Sequence, residues 1–332
     1  MRPPLRVVFL GSPEFAVPSL RALIAAGHDV VAVYTQPDRP GGRGQHDQPS
    51  PVKRAATGLG LPVVAPAEMR SRSQLDALEA LAPDLCVVAA YGHILPAAIL
   101  DLPRFGFLNV HASLLPRHRG AAPIPGAILA GDDLTGVTIM RIDPGLDSGP
   151  MLAKATTAIG PDDTTATLLE RLATLGAELL AQTIPAWVAG EIEAEPQDEA
   201  LATFCPRIEK EQGEIDWTRP SVGIWRAVRA YQPWPTAYTH LGDQRVTIHE
   251  AWPVDVGHPE APGTALGLSA AAKDALGERA ARAGFAVATG EGLLVPLILQ
   301  RAGRRRVDAA SFVNGERDLA GRVFGPLAET PR

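Results

Sequence analysis

The chain has 332 residues, of which 46% are hydrophobic, and its formal net charge is −6. This length predicts about two domains, and the composition is ordinary for a globular protein. No stretch approaches the roughly 18 apolar residues of a membrane span, and no basic start precedes an apolar run, so we expect a cytoplasmic protein without membrane association.

The first half of the chain alternates between predicted strands and helices. Apolar runs bounded by turn residues indicate these elements at residues 5–10, 15–26, 29–35, 73–82 and 85–90. The rhythm predicts an α/β, Rossmann-like domain with a mostly parallel sheet. The turn after the first strand lacks a Gly-x-Gly-x-x-Gly pattern, so a nicotinamide cofactor is not supported.

A long loop rich in Gly and Pro occupies residues 38–51. Loops of this length are uncommon as simple connectors, and those beside a cleft are commonly functional. We therefore interpret it as part of a functional site.

The segment 105–111 reads Phe-Gly-Phe-Leu-Asn-Val-His, an apolar run that ends in polar residues. It predicts a buried strand with Asn109 and His111 at its carboxyl end, on one face because they are two residues apart. Asp147 lies in the loop after a second predicted strand, at 135–143. Ligands bind at such strand ends in open α/β sheets.

An amide, an imidazole and a carboxylate together can stabilise an oxyanion and move a proton without a metal or a covalent nucleophile. Taken singly, each residue has a simpler interpretation: a turn-forming Asn, a core or surface His, and an Asp in an Asx turn. The spacing alone is suggestive and leaves both interpretations open.

The two cysteines, Cys86 and Cys205, have neither metal-ligand spacing nor the pattern of a disulfide framework. Cys86 stands in an apolar run and is interpreted as a small buried hydrophobe. No metal site is predicted.

The second half begins with a predicted long helix at 163–188, whose leucines 168, 172, 175 and 179 form one apolar stripe. The acidic segment after it predicts a linker at 191–206. Short alternating runs after residue 207 predict a small β-barrel. Residues 207–332 carry 16 Lys or Arg against 15 Asp or Glu, a net of +1, which leaves −7 for the rest of the chain. The cluster at 301–306 could bind phosphates, or it could be a solvated hairpin tip.

The segments Asn109-Val-His, 113–124, 135–140 and 145–149 resemble the core of the 10-formyltetrahydrofolate-dependent formyltransferases. Further matching segments run in order through nearly the whole chain, at residues 11–15, 35–44, 50–53, 89–96, 215–217, 229–235 and 261–264. Within that family the resemblance is greatest to the members that act on a charged tRNA.

The resemblance implies a formyltransferase catalytic domain at 1–190, a linker at 191–206 and an OB-like β-barrel at 207–332 that helps to hold tRNA. It implies transfer of formyl from 10-formyltetrahydrofolate to the α-amine of methionyl initiator tRNA, by a monomer. Asn109 and protonated His111 would stabilise the oxyanion, and Asp147 would keep His111 charged.

The resemblance also implies binding residues. Those expected to line the folate pocket are Ser113, Leu114, Leu115 and Pro116. Those expected to contact tRNA are Arg39, Arg43, Lys53, Arg304, Arg305 and Arg306. Three alternatives stay open: a sugar-nucleotide amine formyltransferase, a 10-formyltetrahydrofolate hydrolase with water as the nucleophile, and a non-enzymatic RNA-binding protein.

Overall fold

The computed structural model describes residues 4–41, 46–316 and 318–327. The chain divides into two compact units. The N-terminal unit comprises Met1–Ile124, Asp133–Ile159 and Thr167–Pro206, and the C-terminal unit comprises Pro125–Asp132, Gly160–Ala166 and Arg207–Arg332. The linker and domain boundaries given above stay a prediction.

Up to residue 141, the strands of the main sheet alternate with helices as predicted. The strands are β1 (Arg6–Gly11), β2 (Asp29–Tyr34), β3 (Arg39–Gly41), β4 (His46–Gln48), β5 (Val63–Val64), β6 (Leu85–Ala89), β7 (Phe107–His111), β8 (Arg119–Gly120), β9 (Leu134–Arg141), β10 (Met151–Ala158) and β11 (Phe204–Cys205). The helices are α1 (Val17–Ala25), α2 (Pro51–Gly58), α3 (Arg72–Ala80), α4 (Ala97–Leu100), α5 (Pro123–Ala130) and α6 (Thr165–Val188).

The main sheet of the N-terminal unit has the strand order β10–β9–β7–β6–β1–β2–β5. Neighbours from β7 to β5 are parallel, and β9 and β10 are antiparallel. The mostly parallel, Rossmann-like sheet is therefore confirmed. Strands β1 and β6 consist almost entirely of buried apolar residues, as is typical of parallel strands covered on both faces. Their carboxyl ends, and those of β2 and β7, share one edge of the sheet.

Helix α6 packs against β7 through small residues. A Cβ atom at Gly176 would lie 2.8 Å from Cγ1 of Val110, so glycine allows the helix to approach the strand closely. Leu168 and Leu172 are buried as the stripe predicts, whereas Leu175 and Leu179 are only partly buried. The buried face of the helix instead combines large residues with small ones, namely Leu168, Leu172, Ala173, Gly176, Ala177, Leu180, Thr183 and Ile184.

A chain of hydroxyl groups joins the ends of β1 and β2 to the start of α2. Ser50 caps α2, since its Oγ accepts a hydrogen bond from the Lys53 amide at 3.0 Å. The same Oγ lies 2.6 Å from the Thr35 hydroxyl. This network fixes the segment that follows the 38–51 loop.

Ser50→Ala is expected to lower the free energy of unfolding by about 1 kcal/mol, because the helix loses its N-cap. Ser71 precedes α3 but makes no capping hydrogen bond, so Ser71→Ala serves as the matched control, with an expected loss below about 0.5 kcal/mol. Urea denaturation of both variants measures the difference. Equal losses would contradict the capping role.

The C-terminal unit is a closed antiparallel barrel. Its strands are β12 (Ala237–Leu241), β13 (Gln244–Val254), β14 (Ala265–Leu266), β15 (Ala286–Ala288), β16 (Leu293–Arg301), β17 (Val307–Asp308) and β18 (Phe324–Gly325), and its further helices are α7 (Ser221–Ala230), α8 (Ala270–Leu276) and α9 (Ala309–Asn314). The strand order is β14–β15–β16–β13–β12–β18, with β17 paired to β16.

The two end strands of that order meet through a bridge between Thr264 and Val323. The Ala265 amide donates to the Arg322 carbonyl at 2.8 Å, and the Phe324 amide donates to the Gly263 carbonyl at 2.8 Å. The sheet therefore has no open edge at this point, and the predicted small β-barrel is confirmed. No helix within the described ranges is both long and apolar enough to cross a membrane.

Candidate active site

Strand β7 brings Asn109 and His111 to the carboxyl edge of the main sheet. Asn109 lies opposite Val88 of β6 and Met140 of β9, and His111 is the last residue of the strand. Asn109 is partly buried, and His111 is 6% exposed. The two side chains leave the same face of β7, as the spacing of two residues predicts.

The loop after β9 places the Asp147 carboxylate beside both side chains. Its Oδ1 is 3.5 Å from Asn109 Nδ2 and 3.7 Å from His111 Nδ1. Its Oδ2 accepts a hydrogen bond from the Gly120 amide at 2.8 Å. Asp147 has a φ of 50°, in the left-handed region that Asp and Asn tolerate better than most residues. The structure thus brings the three predicted side chains together.

A backbone carbonyl determines which ring nitrogen of His111 carries a proton. The His111 Nε2 atom is 3.0 Å from the carbonyl oxygen of His118. Because a carbonyl oxygen only accepts, Nε2 is the protonated nitrogen of the neutral ring. A second proton on Nδ1 would point toward the Asp147 carboxylate. His111 therefore donates from Nε2, and its Nδ1 lies 3.7 Å from Asp147 Oδ1.

The segment from His118 to Gly120 is held by residues more than 80 positions later. The His118 amide donates to Thr203 Oγ1 at 2.8 Å. Strand β8 pairs in parallel with β11, and the Arg119 amide donates to the Thr203 carbonyl at 2.8 Å. This pairing fixes both the carbonyl that contacts His111 and the amide that contacts Asp147.

A buried arginine follows in the same segment. Arg119 is 2% exposed, and its guanidinium donates to both carboxylate oxygens of Glu199, at 2.9 and 2.8 Å. These hydrogen bonds lower the pKa of Glu199. Arg119 also donates to Gln197 Oε1 from Nε and Nη2, at 3.0 and 2.8 Å. Sequence reasoning assigned no role to Arg119, although the conspicuous Arg-His-Arg run at 117–119 was a signal for it.

Gly149 closes the loop that carries Asp147. A Cβ atom here would lie 1.9 Å from the backbone oxygen of Arg141, at the end of β9. Because that oxygen belongs to the sheet, the loop rather than the strand would have to move.

Gly149→Ala is expected to lower the free energy of unfolding by about 1–3 kcal/mol, the usual cost of overpacking, and to shift the Asp147 backbone. Gly58→Ala is the matched control, since a Cβ there would meet nothing within 4 Å. Thermal unfolding of both variants measures the difference. An unchanged Gly149→Ala variant would show that the loop tolerates the displacement.

The predicted folate residues form a buried turn after β7. Ser113 Oγ donates to the Arg117 carbonyl at 2.7 Å, and the Leu115 amide donates to Thr138 Oγ1 at 3.1 Å. Ser113, Leu115 and Pro116 are buried, whereas Leu114 is partly exposed. Among these four side chains, Leu114 is therefore the one that solvent reaches.

The predicted tRNA residues fall in three places. Arg39 begins β3, which pairs with β4 in a two-stranded ribbon, and Arg43 lies outside the described residues. Lys53 Nζ forms an ion pair of 2.6 Å with Asp38 Oδ2. Arg304, Arg305 and Arg306 are exposed in the turn between β16 and β17, so this cluster is a hairpin tip.

The site lacks the side chains of a metal centre. No group of three His, Cys, Asp or Glu residues in the described part of the chain is placed to hold a metal ion. Cys86 is fully buried, and burial raises the pKa of its thiol well above the usual range, as fits a packing residue. Asn109 and His111 instead supply a hydrogen-bond donor and an ionisable ring, each within 4 Å of the Asp147 carboxylate.

Residues 5–184 match the formyl transferase family, and residues 207–317 match the formyl transferase C-terminal domain. The chain belongs to the formyl transferase family. This formyltransferase is similar to a methionyl-tRNA formyltransferase of Methylococcus capsulatus, with 49% identity over 97% of this chain and 100% of the relative.

Two solved structures share the fold. WlaRD, a sugar 3N-formyl transferase, superposes with a TM-score of 0.64 and 16% identity, over 92% of this chain and 100% of WlaRD. HypX from Aquifex aeolicus, solved with tetrahydrofolic acid, superposes with a TM-score of 0.58 and 19% identity over 93% of this chain. This formyltransferase spans about half the HypX chain, 47% of its length.

Proposed function

We propose that this formyltransferase transfers the formyl group of 10-formyltetrahydrofolate to the α-amine of methionyl initiator tRNA. One observation supports the identity of the formyl acceptor. Proteins named methionyl-tRNA formyltransferase from several bacteria are 44–49% identical to this chain over nearly the full length of both chains. That similarity extends through the C-terminal barrel, so it includes more than the catalytic fold.

The reaction needs a group that stabilises the negative charge developing on the formyl oxygen and a group that accepts the proton of the amine. 10-Formyltetrahydrofolate supplies a formyl group activated on N10. As the amine nitrogen bonds to the formyl carbon, the bond from that carbon to N10 breaks, N10 gains a proton and the amine loses one. No redox step is involved.

Asn109 and His111 are assigned to stabilise the negative charge on the formyl oxygen. Asn109 Nδ2 is a neutral hydrogen-bond donor, and the imidazolium of His111 adds a positive charge on the same face of β7. Donors placed before the reaction where charge develops stabilise the transition state more than the ground state.

Asp147 is assigned to accept the proton of the amine. Its Oδ1 faces both catalytic partners, and the Gly120 hydrogen bond to Oδ2 keeps the carboxylate from rotating. In this position the carboxylate stabilises the imidazolium and accepts the proton that the amine releases.

The remaining assignments belong to the same proposal. Leu114 and the buried turn around it form part of the folate pocket, and Arg39, Arg43, Lys53 and the exposed arginines 304–306 contact tRNA phosphates. Lys53 is paired with Asp38, so its contact with tRNA requires exchange of that partner. We also propose that the protein is a monomer and acts in the cytoplasm.

Transfer of labelled formyl from 10-formyltetrahydrofolate to methionyl initiator tRNA tests the function. Methionyl elongator tRNA, a sugar-nucleotide amine and buffer alone are run in parallel. Labelling of the initiator tRNA alone is the expected result. Labelling of the sugar would reassign the acceptor, and formate release in buffer would identify a hydrolase.

A further inference from the structure

The Gln197 side chain joins the Asp147 loop to the segment that contains Arg119. Its Nε2 donates to the carbonyl oxygens of Asp147 and Gly149, each at 2.7 Å. Its Oε1 accepts two hydrogen bonds from Arg119. A carboxamide has two N–H donors and two lone pairs on oxygen, so these four hydrogen bonds use its full capacity.

These partners allow one orientation of the amide. Carbonyl oxygens only accept, and a guanidinium only donates. If the amide were flipped, its oxygen would face two carbonyls and its NH2 group would face two N–H donors. Because Gln197 is partly buried, those mismatched groups would also be poorly solvated. The side chain is therefore held at both ends.

Of the two carbonyls that Gln197 binds, one belongs to Asp147 itself and the other lies two residues later, at Gly149. Asp147 is in the left-handed region of φ, where the backbone needs support from its surroundings. Within the loop, Asp143 accepts hydrogen bonds from the Gly145 amide and the Ser148 hydroxyl. Those contacts tie the loop to itself, whereas Gln197 ties it to the rest of the site.

Gln197 also supports the other contact of the carboxylate. Arg119, which it binds, immediately precedes Gly120, whose amide donates to Asp147 Oδ2. Gln197 therefore contacts both the backbone of Asp147 and the residue next to the amide that binds its carboxylate.

We propose that Gln197 is a positioning residue that holds the Asp147 carboxylate against Asn109 and His111. This proposal rests on the proposed function, in which Asp147 is catalytic. A displacement of about 1 Å in a catalytic group can cost about 100-fold in rate, so the expected effect of losing the two N–H donors is roughly 10- to 100-fold in kcat.

Gln197→Glu removes the hydrogen bonds that the side chain donates and keeps those that it accepts. The carboxylate keeps the size of the side chain and can still accept from Arg119, but it cannot donate to the Asp147 and Gly149 carbonyls. We expect kcat to fall by roughly 10- to 100-fold with little change in either KM, since no substrate contact is removed. Gln197→Ala should give a similar fall, and Glu193→Gln, an exposed position in the same segment, should not.

A double-mutant cycle with Asp147→Asn tests whether Gln197 acts through Asp147. Single-turnover rates with excess enzyme are measured for wild type, the two single variants and the double variant. If Gln197 acts through Asp147, Gln197→Glu should change the rate by less than about 2-fold in the Asp147→Asn background. An equal fall in both backgrounds, or a wild-type kcat for Gln197→Glu, would overturn the proposal.

Hydrogen exchange gives a readout that needs no activity. Amides of residues 143–149 should exchange faster in Gln197→Glu and not in Glu193→Gln, because the loop loses two of its hydrogen bonds to the rest of the site. Unchanged exchange of this loop in Gln197→Glu would refute the positioning role. If wild type transferred no formyl group to any acceptor, the proposed function would fail, while the exchange result would still decide whether Gln197 holds the loop.

Discussion

Asp147→Asn is expected to lower kcat by about 100- to 10,000-fold, the range that general acid–base catalysis contributes. Asparagine has nearly the same shape and tolerates a positive φ, so the backbone at 50° is not strained by the change. If its oxygen accepts the Gly120 hydrogen bond, its NH2 group faces Asn109 Nδ2 and His111 Nδ1. The variant then has neither a charge to stabilise an imidazolium nor a base for the amine proton.

Single-turnover formyl transfer measures this loss, and thermal unfolding checks that the fold is intact. Asp101→Asn removes an exposed carboxylate elsewhere in the same unit and should keep the wild-type rate. A rate within 10-fold of wild type for Asp147→Asn would exclude Asp147 from proton transfer. Asp147→Ala is less informative, because a loss of charge would be combined with backbone strain.

Asn109→Ala is expected to lower kcat by about 100- to 1000-fold, the usual effect of removing one oxyanion donor. The side chain is partly buried at the end of β7, and within the described ranges its Nδ2 has one hydrogen-bond partner, Asp147 Oδ1 at the long distance of 3.5 Å. Little folding energy therefore depends on it, and the loss should appear in the chemical step.

The measurement is kcat and KM for both substrates. Asn314→Ala, at the exposed end of α9, is the matched control and should leave both parameters unchanged. A raised KM with an unchanged kcat would mean that Asn109 binds substrate equally in the ground and transition states, which would contradict its assignment to the oxyanion.

The sequence predicts those parts of the site that depend on local spacing. Asn109 and His111 are two residues apart on one strand, so their common face follows from the geometry of a strand alone. The parallel sheet follows from alternating elements and from the wholly apolar runs of β1 and β6. Asp147 comes close to Asn109 and His111 through the topology of the chain. Its role is indicated by the sequence motif around it and not by its spacing from those residues.

The supports of the site could not be predicted in that way. The His118 carbonyl and the Gly120 amide are backbone groups, which every residue has. Gln197 contacts a loop about 50 positions earlier and Arg119 78 positions earlier. In the sequence it stands in an acidic stretch, whose composition indicates solvation and gives no sign of contact with a buried arginine.

Closure of the C-terminal barrel depends on very few residues. Strand β18 contains only Phe324 and Gly325, yet it pairs with β12, and the Thr264–Val323 bridge beside it joins the residues just before β14. A proteolytic cut before Val323 would leave the backbone of β12 without its partner on that side, whereas Ala265 of β14 would keep its hydrogen bonds with Gly321 and Arg322. Open edges of that kind are templates for pairing with another chain, so loss of a short tail would convert a self-contained barrel into a surface prone to aggregation.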